Sequence, residues 1–513
     1  MSSIQKLIID CGGQYTLVIG RTLRELGVRS IILPPKKAAA WLKTNKSKGI
    51  ILSGGNFSVY SEDAPHVPAQ EILEAGVPIL GICYGMQWLA HQFDGTVMPH
   101  WESKEYGKAE AVFDTADKLF SGLPKKNVVW ASHGDSVAVL PKGFRQIASS
   151  EGGKTIAAMV NRKKKIWGVQ FHPEVVQTPN GKKILARFLF DICGCQKDWY
   201  PQDVIAGIRA ETVATIGSRK ALVGFSGGVD SSTLAAILSP ALGKNLLAVC
   251  IDTGGLRQDE LREVRKNAQC AGVALKVVSA AGRFQKGLGN TVHSEAKRRR
   301  FKRVYGPTLQ REALAFGGNK DSVVLVQGTL ATDIIESGLV GEAQLIKSHH
   351  NVGLGLQIPQ VHPFRNLFKY EVRELAEQLG LPECISKRQP FPGPGLYVRV
   401  VGKPARPDKL AIVRWADEEV ARILKKHKLY HRISQLVVGL DCLRTVGIKG
   451  DERVYGFSVV VRAVQTSDFM TAVGYQIPAK VRREIDACVT KHPKIVRVYY
   501  NETHKPPATT ELE

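Results

Sequence analysis

The sequence predicts two successive α/β domains followed by a small α+β domain. Up to about residue 125, and again from Ala221 onward, short apolar runs alternate with amphipathic stretches, the pattern of parallel strands joined by helices. The second run stops at Pro390-Phe391-Pro392-Gly393-Pro394-Gly395, because so dense a set of prolines continues neither a helix nor a central strand. At 513 residues the chain is too long for one core, and 44% hydrophobic with 23% charged residues is an ordinary globular composition.

In order along the chain, strands are expected at Lys6 to Ile9, Ser30 to Leu33, Gly49 to Leu52 and Val77 to Ile82, with a helix over Leu17 to Leu26. Val128 to Trp130, Ile156 to Val160 and Ile166 to Phe171 then read as antiparallel strands, with Arg162 to Lys165 in a hairpin turn and Leu185 to Ile192 as a closing helix. A boundary is expected within residues 193–202. Strands of the second run fall at Ala221, Leu246 to Ile251, Leu275 to Val278 and Val323 to Gln327. In the last part Asp408 to Lys426 and Pro478 to Cys488 read as helices, and Tyr455 to Val464 and Ile495 to Tyr500 as strands. The expected domains are 1–195, 200–395 and 396–513.

No apolar run is long enough to span a membrane, and Met1-Ser2-Ser3-Ile4-Gln5-Lys6 leads into a strand rather than a signal peptide, so a cytoplasmic enzyme is expected. Nine cysteines without a framework spacing argue for reduced thiols, and the close pair Cys193-Gly194-Cys195 reads as structural. The net charge of +24, densest at Lys297-Arg298-Arg299-Arg300-Phe301-Lys302-Arg303, suits anionic substrates and does not require nucleic acid.

Lys220-Ala221-Leu222-Val223-Gly224 empties into Phe225-Ser226-Gly227-Gly228-Val229-Asp230-Ser231-Ser232 and then into a helix. Glycines there admit close backbone approach, turn amides and the helix N-terminus bind anionic oxygens, and Ser226, Ser231 and Ser232 add hydroxyl donors. No Gly-Lys-Ser/Thr closes the loop, so it is not a Walker motif. Ser226 to Ser232 resembles the pyrophosphate loop of the ATP pyrophosphatases. That resemblance implies cleavage of ATP between its α and β phosphates, with Ser226, Gly227, Gly228, Val229, Asp230, Ser231 and Ser232 binding ATP and Asp230 helping to hold Mg²⁺ on the pyrophosphate side.

Val77-Pro78-Ile79-Leu80-Gly81-Ile82-Cys83-Tyr84-Gly85-Met86-Gln87 puts Cys83 on a tight strand-to-helix turn, where the helix N-terminus favours thiolate. Gly168-Val169-Gln170-Phe171-His172-Pro173-Glu174 supplies a histidine to move the thiol proton and a carboxylate to orient it. The two segments together resemble the class I glutamine amidotransferases, which implies a Cys83, His172, Glu174 triad hydrolysing glutamine through a thioester. The implied oxyanion hole is the backbone N–H of Gly55 and of Tyr84. Asn56 stands where relatives usually carry proline, and Cys11 and Gly13 depart from the usual Asp-Phe-Gly-Ser-Gln-Tyr; Cys11 reads as packing.

Four further segments are similar to the glutamine-hydrolysing GMP synthetases: Ile346 to Gly353, Pro390 to Leu396, Val446 to Asp451, and Lys505-Pro506-Pro507-Ala508-Thr509-Thr510-Glu511. The resemblance spans nearly the whole chain and implies amination of XMP to GMP with ATP and glutamine, in a homodimer joined through the C-terminal domain. Residue by residue it places Arg298, Asp451, Lys505 and Glu511 on XMP, and Lys347, His349 and His350 in a lid. Departures occur at Thr253 and Gly255, at His293-Ser294, and at Ala331-Thr332.

Overall fold

The computed structural model describes residues 5–13, 15–99, 105–331, 333, 355–466, 472–505 and 507–512. The chain divides into two compact units between Tyr200 and Pro201.

In the first unit Lys6–Ile9, Ser30–Leu33 and Gly49–Leu52 form strands at the bounds expected from their apolar runs. The fourth strand starts at Ile79 rather than Val77, because Pro78 has no N–H to give the ladder. These strands belong to a nine-stranded sheet continued by Ile166–Val169, Thr155–Asn161, Arg145–Ser150, Glu105–Phe113 and Lys126–His133. Strand direction changes at Ile166–Val169, which the sequence pattern read only as antiparallel. It pairs in parallel with Ile79–Ile82 on one side and antiparallel with Thr155–Asn161 on the other. The closing helix begins at Gly181, earlier than Leu185, and winds into a π-turn over Arg187–Ile192.

The second unit holds a five-stranded, wholly parallel sheet in the order Ala274–Ser279, Leu246–Asp252, Lys220–Gly224, Val323–Val326, Gln360–Val361. The chain leaves Lys220–Gly224 toward one edge and returns on its other side, which makes a topological switch point at the carboxyl ends of Lys220–Gly224 and Val323–Val326. A second sheet is built on a long hairpin, Gln435–Lys449 with Glu452–Gln465, the first strand of which the sequence pattern did not show. Ile495–Tyr500 joins it in parallel. Helices Pro407–Lys426 and Ala479–Val489 cover the sheet, and one apolar core runs from Leu222, Val249 and Leu325 to Val413, Val438, Val461 and Ile485.

The Pro/Gly break at 390–395 therefore turns the chain within that core. It feeds a 3₁₀ turn, Gly395–Arg399, whose Tyr397 hydroxyl donates to the Thr253 carbonyl at 2.8 Å. A Cβ on Gly255 would lie 2.6 Å from the Tyr397 ring, so the departure at Gly255 is filled by that ring.

Candidate active sites

Cys83 leaves strand Ile79–Ile82 and His172 follows strand Ile166–Val169. Because these strands pair in parallel with Ile82 opposite Val169, both residues emerge at the same end of the sheet. The Cys83 N–H donates to the Val169 carbonyl at 2.7 Å. Cys83 has φ 51° and ψ −109°, a backbone state that side chains other than glycine rarely adopt. Its flanking glycines make the bend fit: a Cβ on Gly81 would come 2.5 Å from the Gly85 carbonyl, and one on Gly85 would come 2.5 Å from the Leu52 carbonyl oxygen.

His172 Nδ1 lies 2.7 Å from Glu174 Oε1, and both side chains are buried. Burial alone would depress the imidazole, yet the Glu174 carboxylate and the neighbouring Cys83 outweigh it and raise His172 to about 10. The imidazole is thus held protonated beside Cys83, ready to give a proton to a leaving group. Tyr15 packs edge-on to the His172 ring at 5.0 Å, and Gln170 Nε2 approaches Cys83 Sγ at 3.7 Å. Tyr84 opens the helix Tyr84–Gln92, so its N–H has no intrahelical partner. A Cβ on Gly55 would lie 3.3 Å from the Tyr84 ring, so the two residues expected to supply the oxyanion donors are neighbours. Cys11 is fully packed and burial pushes its thiol up to about 12, in keeping with a packing role.

The Ser226–Ser232 loop occupies the switch point of the second unit. Gly227 takes φ +70°, and its carbonyl accepts from Asn267 Nδ2 at 2.8 Å and from Arg388 Nη1 at 2.7 Å. Ser226 and Ser231 hydroxyls lie 3.3 Å apart, and Ser231 Oγ donates to the Gly228 carbonyl at 3.2 Å. Around the mouth of helix Val229–Leu242, Asp230 Oδ1, Ser232 Oγ, Thr233 Oγ1 and Gln327 Oε1 are buried without a hydrogen-bond partner. Buried orphans are rare in a folded protein, and four of them among the described residues, on the loop, the helix after it and the end of strand Val323–Val326, suit a polar ligand at the switch point. Burial raises the Asp230 carboxyl above its usual range, offset by the Lys369 ammonium that pairs with Oδ2. Lys369 and Arg388 were not among the residues expected from the sequence; each lies more than a hundred positions from its partner in the loop, with no local motif to flag it.

The four expected nucleotide contacts do not form one cluster within a chain. Glu511 is buried and accepts from Gln435 Nε2 at 2.8 Å and from Arg399 at 3.3 Å, while Arg399 also bonds Asp417 at 2.8 Å. Lys505 is half-buried in a backbone bridge to Ala472. Asp451 sits with Gly450 at the tip of the long hairpin, both at positive φ. Glu452 begins the strand whose far end, Val464 and Gln465, pairs with Val473–Gly474 beside Ala472. At about 3.3 Å per residue that strand separates Asp451 from Lys505 by roughly 40 Å. Arg298 is buried on helix Ser294–Gly317, its Nη1 3.6 Å from Glu295. Lys297 beside it is fully buried and donates to the Val400 carbonyl, so the basic run is not a uniformly solvated face. Lys347, His349 and His350 lie outside the described residues.

Three family models match the chain in succession: glutamine amidotransferase class-I over residues 7–192, NAD synthase over 202–304, and GMP synthase C terminal domain over 422–512. The glutamine-hydrolysing GMP synthase of Caldanaerobacter subterraneus subsp. tengcongensis is 41% identical over 517 residues, covering 99% of this chain and 98% of its own. The chain belongs to the glutamine-hydrolysing GMP synthase family. GMP synthases of Thermobifida fusca, 43% identical, and Aquifex aeolicus, 42% identical, likewise match over 99% of this chain and over 97% and 99% of their own. Cys83, His172 and Glu174 fall within the first matched segment, the Ser226–Ser232 loop within the second, and Asp451, Lys505 and Glu511 within the GMP synthase C-terminal segment, whereas Gln327, Lys369 and Arg388 lie between the last two.

Proposed function

We propose that this chain makes GMP from XMP, ATP and glutamine. The reading is carried by a thiol triad and an adenylylating phosphate loop in one chain whose full length matches GMP synthases. Residues 1–195 act as the glutaminase, 200–395 as the ATP pyrophosphatase, and 396–513 as the XMP-binding and dimerisation segment.

Cys83 thiolate attacks the glutamine amide carbon, and His172 gives its proton to departing ammonia. The Gly55 and Tyr84 N–H groups take the charge that develops on oxygen, and Glu174 orients the imidazole and stabilises its charged form until that proton is given up. In the second unit the loop amides and hydroxyls of Ser226 to Ser232 hold the ATP phosphates while XMP oxygen attacks the α-phosphorus. AMP is the better leaving group, so ammonia, a weak nucleophile, completes the amination by displacing it. Asp230 suits Mg²⁺: one carboxylate oxygen is taken by Lys369 and the other is buried and unpartnered, a single ligand for an ion bound chiefly through pyrophosphate. The ion would neutralise charge on the leaving pyrophosphate.

Lys505 answers the XMP phosphate, and Glu511 fixes the C-terminal segment through Arg399 in addition to any purine contact. Given its distance along the hairpin, Asp451 meets nucleotide only from a second subunit. A homodimer is supported by apolar side chains on the outer hairpin, where Leu443 is 71% and Ile448 78% exposed. All nine cysteines are free, which fits a reducing cytoplasm. The deciding experiment is XMP-dependent release of AMP and pyrophosphate, first with glutamine and then with ammonium. Failure with XMP under both nitrogen sources refutes the reading.

A further inference from the structure

Glutamine hydrolysis needs the Gly55 N–H to face the oxyanion, yet the Gly54–Gly55 peptide has glycine on both sides and is the unit freest to rotate. Carbonyl and N–H of one trans peptide lie in a plane and point opposite ways, so whatever holds the Gly54 carbonyl also aims the Gly55 N–H. Two features hold that carbonyl. Ser53, wholly buried, has Oγ 2.9 Å from the Gly54 oxygen. The hydroxyl is itself pinned, since the Cys11 N–H donates to it at 3.0 Å and Thr16 Oγ1 lies 3.0 Å away. Thr16 donates to Asp10 Oδ1 at 2.9 Å, and the same oxygen accepts from the Gly12 N–H at 3.0 Å.

Gly13 is the second feature. A Cβ there would lie 2.3 Å from the Gly54 oxygen, so the carbonyl occupies room that any other residue would fill. Gly54 meanwhile faces the triad, its Cβ position 3.1 Å from His172 Cε1 and 3.7 Å from Cys83 Cβ.

We propose that Ser53 and Gly13 are positioning residues for the glutaminase, latching the Gly54 carbonyl onto the 10–16 loop and thereby aiming the Gly55 N–H at the oxyanion. The inference rests on the glutaminase reading above. Proton bookkeeping agrees with it: Ser53 Oγ is an acceptor for the Cys11 N–H and within reach of the Thr16 hydroxyl, so its own single proton is left for the Gly54 carbonyl.

The test uses full-length Ser53→Ala and Gly13→Ala with three readouts: glutamine-driven synthesis, ammonium-driven synthesis, and alkylation of Cys83 by iodoacetamide. Alkylation displaces iodide at a saturated carbon and develops no oxyanion, so it reports the thiol pair alone. Loss of one oxyanion donor lowers turnover by about 10²–10³, so releasing that donor to rotate should lower glutaminase kcat roughly ten- to a hundredfold with KM little changed. Ammonium-driven synthesis and alkylation should stay within about twofold of wild type, which also shows that each variant is folded. Both substitutions act on one peptide, so the double variant should lose little more than the worse single one. A Ser53→Ala glutaminase within about threefold of wild type, alkylation falling in parallel, or additive losses would each overturn the latch. Wild-type protein unable to hydrolyse glutamine would overturn the glutaminase reading instead, a result distinct from an active wild type indifferent to Ser53.

Discussion

Replacing Glu174 by glutamine keeps the shape of the side chain beside His172 and removes its charge. In the structure the carboxylate sits 2.7 Å from His172 Nδ1, its second oxygen is buried without a hydrogen-bond partner, and the imidazole is raised to about 10 against the opposing effect of burial. A hydrogen bond to a charged group contributes about 1.5–3 kcal/mol and a neutral one about 0.5–1.5, so the substitution should cost on the order of 1–2 kcal/mol of imidazolium stabilisation. The sign follows from the raised value: at about 1.4 kcal/mol per pH unit, the variant imidazole loses its proton about one pH unit lower than in wild type and is still protonated at pH 7. Glutaminase kcat at pH 7 should therefore change little, while the alkaline limb of its pH–rate profile should move down by about one unit. Glutamine hydrolysis followed from neutral to strongly alkaline pH measures that shift, with ammonium-driven synthesis as the control for folding. An alkaline limb that does not move would refute the assignment of Glu174 as the group that keeps His172 charged.

Cys83→Ala should abolish glutamine-driven synthesis and leave ammonium-driven synthesis largely intact, as followed by AMP release with each nitrogen source. Asp230→Ala, by removing the carboxylate paired with Lys369, should impair formation of AMP and pyrophosphate while Cys83 alkylation is unaffected; stoichiometric ADP in the wild-type reaction would exclude α,β cleavage. Lys505→Ala should raise the XMP requirement about ten- to a hundredfold, the worth of a charge-assisted contact, with half-saturation for ATP nearly unchanged in steady-state titrations. Gly81→Ala forces a Cβ to within 2.5 Å of the Gly85 carbonyl, so urea midpoints should show a loss of about 1–3 kcal/mol from overpacking and a parallel loss of glutaminase.

The strands that carry the two sites were legible because their signals are local. Ile79–Ile82 and Lys220–Gly224 are short apolar runs ending at glycine-flanked turns, and a turn of that composition fixes where Cys83 and the Ser226–Ser232 loop emerge. His172 and Glu174 were legible as chemistry, two residues apart, but not as neighbours of Cys83. That adjacency comes from the parallel pairing of Ile166–Val169 with Ile79–Ile82, in which Ile166 lies opposite Ile79, a contact between strands far apart in the chain that no periodicity encodes. Strand Gln435–Lys449 escaped notice because half of it is buried and half exposed, which blurs the alternation. Lys369 and Arg388 escaped for a different reason: a cation acquires its role only when folding carries it to Asp230 or to the Gly227 carbonyl, and until then it is one basic residue among 71. The same holds for the expected nucleotide contacts, which the family resemblance puts on one ligand but which a long hairpin holds apart, with Asp451 at its tip and Lys505 near its base. Residue chemistry and turn composition were thus determined by the sequence alone, whereas pairing across the sheet, burial of charge and distance along rigid strands were decided only by the tertiary structure, because those terms depend on contacts between segments far apart in the chain.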